Sequence, residues 1–126
     1  TNYLPYTEVK FDDNNIVKEL EFSCHADYEA VEEAFSFMTQ YFCQRYENMA
    51  TEKIDEVKDE GNYRQIGSKN IWETNKIIII LSSYNNMVDW QAVARNIEKA
   101  GSDGWLENAE ARDIQGYWVK LTITIK

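Results

Sequence analysis

The residues with the most chemical potential in this chain are Cys24, His25 and Cys43, two thiols and the sole imidazole. A thiol and an imidazole within hydrogen-bond reach make an activated nucleophile. Paired thiol and imidazole ligands at two- to four-residue spacing make a structural zinc site. The spacing fits neither. Cys24 and His25 are neighbours in a segment that reads as a strand, and neighbouring strand residues point to opposite faces. Cys43 falls about 16 residues into a helical stretch, more than roughly 20 Å from its start. We therefore expect a buried Cys24, a rim His25, and no catalytic, cofactor or metal set.

Two other segments resemble binding motifs without meeting their requirements. Gly61 to Lys69 is rich in glycine and polar residues and ends Gly67-Ser68-Lys69. A phosphate-binding loop ends Gly-Lys-Ser/Thr and opens a helix, which this stretch does not do. Asp12-Asp13-Asn14-Asn15 lacks the glycine and the distal glutamate of a calcium loop. Glu19 and Glu21 share a strand face that reads as solvated, so they do not form an acid–base pair in a pocket.

What remains is a set of basic and aromatic side chains. Tyr63, Arg64, Lys69 and Trp72, with Lys76 nearby, lie in a stretch that reads as a polar loop. Trp105 sits beside a turn, Arg112 lies close by in sequence, and Trp118 falls on the polar face of its strand. Tyr63, Arg64, Lys69, Trp72, Trp105, Arg112 and Trp118 are the candidate contacts for a ligand or partner. Cations and aromatics together suit an anionic or nucleotide ligand. Tyr and Trp also bury area at protein interfaces with little loss of entropy.

The elements that must position these residues are organised around Ile77-Ile78-Ile79-Ile80-Leu81. This run is too short to span a bilayer as a helix. Its β-branched residues favour a strand, and both faces of that strand are apolar, so it is expected inside a sheet with cover on both sides. Tyr3 to Phe11 and Ile16 to Cys24 read as a β-hairpin turned by Asp12 to Asn15, with Pro5 marking an edge strand. From Asp27, an N-cap, a helix of about 22 residues runs with an apolar stripe at Val31, Phe35, Met38, Phe42 and Met49, widened by Tyr28, Ala34, Tyr41 and Tyr46. Either Thr51 then caps a second helical segment carrying Ile54 and Val57, or the helix continues unbroken to Glu60. Tyr63–Ile66 and Ile71–Glu73 read as short strand pieces, the latter leading into the isoleucine strand. A second helix is expected from a cap at Asn86, with Trp90, Val93, Ala94 and Ile97 inside and Gly101 as its stop. Trp105 to Arg112 reads as a strand, Asp113 to Gly116 as a hairpin turn, and Tyr117 to Lys126 as a cleanly alternating last strand.

The expected fold is thus a single α+β domain over residues 1–126. Its chain order is ββ, one or two helices, β, α, ββ. A mostly antiparallel sheet of five or six strands is covered by one long and one short amphipathic helix. The second helix is short, so part of a face is left for a homo-oligomer contact, with Tyr41, Phe42 and Tyr46 as contributors.

Composition narrows the function. The chain holds 22 acidic against 13 basic residues, a net charge of −9. That balance repels phosphate backbones and disfavours direct nucleic-acid binding. Two cysteines, no Asn-X-Ser/Thr sequon and no leader pattern suggest a reducing, cytoplasmic setting without membrane association. Small, acidic, aromatic and motif-free chains are common among inhibitors and immunity proteins of phages and mobile elements. The leading expectation is therefore a non-enzymatic binding protein that occludes a partner with a basic surface, such as one that grips nucleic acid. The alternative is an oligomeric sponge for an anionic metabolite or nucleotide, built on Arg64, Lys69, Arg112 and nearby aromatics.

Overall fold

The computed structural model describes residues 6–101 and 110–126. It is an α+β fold built on one six-stranded antiparallel sheet. The strands are β1 (Tyr6–Phe11), β2 (Val17–Ala26), β3 (Ala50–Lys58), β4 (Tyr63–Glu73), β5 (Ile77–Val88) and β6 (Gly116–Ile125). They lie side by side in the order β1-β2-β6-β5-β4-β3. Helix α1 (Tyr28–Cys43) follows β2, helix α2 (Trp90–Ala100) follows β5, and residues 110–114 are helical ahead of β6.

The isoleucine run opens β5, an interior strand between β4 and β6. Ile77, Ile79 and Leu81 lie against Ile125, Ile123 and Leu121 of β6 in register, on the face that α1 covers. Val31 and Phe42 of α1 close this core over Trp72, Ile79, Leu81 and Val119. Asp27 caps α1 as its position implies, its Oδ1 accepting from the Ala30 amide at 2.8 Å. Along its β4 side α1 meets a polar seam. The Asn70 Nδ2 donates to Thr39 Oγ1 at 3.1 Å, and Thr51 Oγ1 donates to Asn70 Oδ1 at 2.9 Å.

The opposite face of β5 is not sandwiched as expected. Ile78 and Ile80 are half-buried among Ile71, Thr122 and Thr124, their strand neighbours. Helix α2 packs against the turn at Asp59–Gly61, at one end of the sheet. Ala92 and Val93 are its buried residues, and Trp90 and Ala94 are exposed.

Four further expectations are corrected. The first helix ends at Cys43, and Ala50–Lys58 is a strand, neither a second helical segment nor a continuation. Ile54 and Val57 sit three apart, a helical spacing, but β4 offers β3 nine consecutive partners from Ala50↔Ile71 to Lys58↔Tyr63. Cross-strand pairing outweighs a weak local preference. Next, β4 is one continuous strand, closed onto β5 by a turn in which Thr74 Oγ1 accepts from the Lys76 and Ile77 amides at 3.2 and 3.1 Å. β5 in turn extends through Asn86, which pairs with Gly116, so the cap of α2 is Asp89. Finally, residues 110–112 are helical, not the end of a strand from Trp105, and Asp113 and Ile114 continue that helix where a hairpin turn was expected. The Trp105 side of that expectation lies outside the described residues, as do Tyr3 and Pro5.

Candidate interaction surface

The period of a strand decides what the candidate contacts can do together. On β4, alternation places Tyr63 and Lys69 on the open face of the sheet and Arg64 and Trp72 on the helix side. Trp72 is fully buried, its ring centroid 5.3 Å from that of Phe42. Arg64 grips Asp55 through two hydrogen bonds of 2.8 Å. Lys69 faces Glu52 at 3.5 Å. Arg112 is exposed among the helical residues 110–114. Trp118 is on the open face, stacked on His25 with centroids 4.8 Å apart, and its Nε1 donates to the Ile114 carbonyl at 2.8 Å. Trp105 lies outside the described residues. Arg64 and Lys69 therefore do not converge on one anion.

The open face carries a shallow depression of about 200 Å³, bordered by Gln65, Lys69, Ser82, Tyr84, Lys120 and Thr122. Its charges are largely paired. Lys120 meets Glu21 at 2.9 Å, Lys10 meets Glu19 at 3.0 Å, and Lys58 meets Glu56 at 2.6 Å. The hydrogen bond from Lys120 holds the Glu21 carboxyl below its ordinary range. Burial pushes the Tyr84 phenol up to about 12. A neutral phenol beside ion pairs is suited to donating a hydrogen bond. Cys24 is on the helix side, where burial raises its thiol, and His25 is on the open face, so the two do not meet. Among the described residues no group of three or more His, Cys, Asp or Glu is placed to hold a metal ion.

Gly116 explains how His25 and Trp118 stack. At φ +114° it occupies a conformation that side chains disfavour, and a Cβ there would fall 2.6 Å from His25 Nε2. A methyl there would press on the imidazole, so the glycine leaves it room.

The helix side offers a different kind of surface. Glu29, Glu33, Phe37 and Tyr41 recur every four residues and run along the outside of α1. Phe37 is 69% exposed and Tyr41 44%. Arg45, beyond the helix end, lies 3.6 Å over the Tyr41 ring and donates to its carbonyl at 3.2 Å. Helix α1 itself contains three glutamates and no lysine or arginine. Beside it, between α1 and β2, an apolar trough of about 340 Å³ is lined by Phe22, Cys24, Met38, Val119 and Leu121. The four-residue step from Glu29 was visible in the sequence. Tyr28 and Tyr41, expected to widen the buried stripe, are exposed, and Met49 lies beyond the end of α1, because the sheet beneath covers only a narrow band of the helix.

No helix among the described residues is long and apolar enough to cross a membrane. Comparison with protein-family models, with curated proteins and with solved structures returns no match to this chain.

Proposed function

We propose that this is a binding protein of the inhibitor type, docking the outer face of α1 and its neighbouring trough onto a protein with a basic surface. The observation that carries this reading is the stripe Glu29, Glu33, Phe37 and Tyr41, which joins carboxylates to two exposed aromatic rings on one rigid helix. Aromatic side chains held on a rigid element bury area at low entropic cost. Carboxylates around them steer a cationic partner and reject an anionic one. The net charge of −9 acts in the same direction over longer range. Partners that hold nucleic acid present such basic surfaces, and covering one would block it by occlusion.

The test begins with affinity capture by the wild-type chain and by the variant Phe37→Ala/Tyr41→Ala, with mass spectrometry of both eluates. A partner retained by the first and lost by the second is then titrated at low and at physiological salt. The affinity should fall by roughly tenfold or more as salt is raised, and by a similar factor for Phe37→Ala. Phe37→Ala alone should melt close to wild type, because a ring 69% exposed contributes little to folding. An affinity indifferent both to salt and to these two rings would remove the basis of the proposal.

A further inference from the structure

Among the described residues the sheet has two edges, β1 and β3, and β1 is written so that it matches a second copy of itself. Its face on the helix side carries Val9, 39% exposed, with Phe11, 58% exposed, following it. On the open face stand Glu8 and Lys10, two residues apart. Lys10 leans inward to Glu19 at 3.0 Å. Glu8 is directly opposite Glu21, whose cation is Lys120. Among the described residues Glu8 has no ion-pair partner of its own, and like charges directly opposite each other destabilise a strand pair.

We propose that two copies of this chain associate edge to edge through β1, antiparallel, with a two-fold axis at Val9. In that register Glu8 of each copy stands opposite Lys10 of the other, Val9 meets Val9, and Thr7 meets Phe11. The charge pattern selects the register. Moving the axis to Glu8 sets carboxylate against carboxylate, and moving it to Lys10 sets ammonium against ammonium. A slip of one residue in the pairing puts Val9 opposite Lys10 and mixes the faces. The unpaired backbone groups of an edge strand supply the hydrogen bonds. Because the axis stands normal to the sheet, both α1 helices lie on the same side of the joined sheet. The exposed Val9 and Phe11 of each copy gain cover there. This inference is independent of the docking reading for α1.

Sedimentation equilibrium on the wild-type chain, on Glu8→Lys, on Lys10→Glu and on an equimolar mixture of the two variants tests it. Wild type should approach twice the 14.8 kDa chain mass as concentration rises. Each variant alone places like charges across the axis at both symmetry-related contacts, and its dimerisation should weaken by at least roughly tenfold. The mixture should recover the dimer, because the added lysines of one chain face the added carboxylates of the other. A chain that failed to fold could not be rescued in this way. A wild-type chain that stays monomeric up to about 1 mM overturns the proposal. So does a dimer indifferent to both substitutions, and so does a mixture that remains as weak as its components.

Discussion

Asn62 is the residue that joins the two ends of the β3–β4 connection to α2. It is buried, donates from Nδ2 to Asp59 Oδ2 at 3.0 Å, and accepts from Asn96 Nδ2 of α2. Its carbonyl accepts from the Asp89 amide at 2.9 Å. The connection needs this help, since Asp59 and Glu60 both hold positive φ, at 53° and 55°. Asn62→Ala should therefore lower unfolding stability by about 1–3 kcal/mol, read from the denaturant midpoint. Tyr84 predicts an alkaline effect. Its ordinary value of 10.0 is raised to about 12 in the fold, so the neutral phenol is the form the fold favours. That contribution is whole below pH 10 and is lost as pH rises towards 12, by about 2–3 kcal/mol in all. Tyr84→Phe should flatten this part of the stability–pH curve, measured by denaturation between pH 9 and about 12.

At the scale of the element, caps and pairing set the boundaries. Asp89 Oδ1 accepts from the Gln91 and Ala92 amides, both at 3.1 Å, and starts α2. Asn86, three residues earlier, is inside β5 and donates to the Ile114 carbonyl at 2.9 Å. Asp89→Ala should cost about 1 kcal/mol, seen as a lower melting temperature. α1 was legible through its stripe and its Asp27 cap, and β6 through strict alternation of apolar and polar residues. β3 was not. Its apolar residues are two, Ile54 and Val57, and the rest is charged or small, as befits an edge strand. Such a segment takes its conformation from the strand beside it. The same reason hid β4, whose glycine and asparagine imitate a loop. At Gly67 a Cβ would lie 1.9 Å from the Ser83 carbonyl, so that glycine answers to close approach of two strands rather than to a turn.

At the scale of the whole molecule, charge dominates. A chain with 22 acidic and 13 basic residues repels itself when compact. Raising ionic strength from near zero to about 0.15 M should therefore raise the melting temperature, as screening relieves that repulsion. A fall over the same range would mean that the surface ion pairs, such as Arg64–Asp55 and Lys120–Glu21, outweigh the net repulsion.

The sequence by itself determined the α+β class, the interior place of the isoleucine strand, the separation of Cys24 from His25 and the acidic balance. These follow from side-chain period and composition, which are local properties. Tertiary structure alone decided that β6 inserts between β2 and β5, that Ala50–Lys58 and Tyr63–Glu73 are whole strands, and that Tyr41 faces outward. Strand order depends on pairings between distant segments. Which side of a helix is left bare depends on how much sheet lies beneath it.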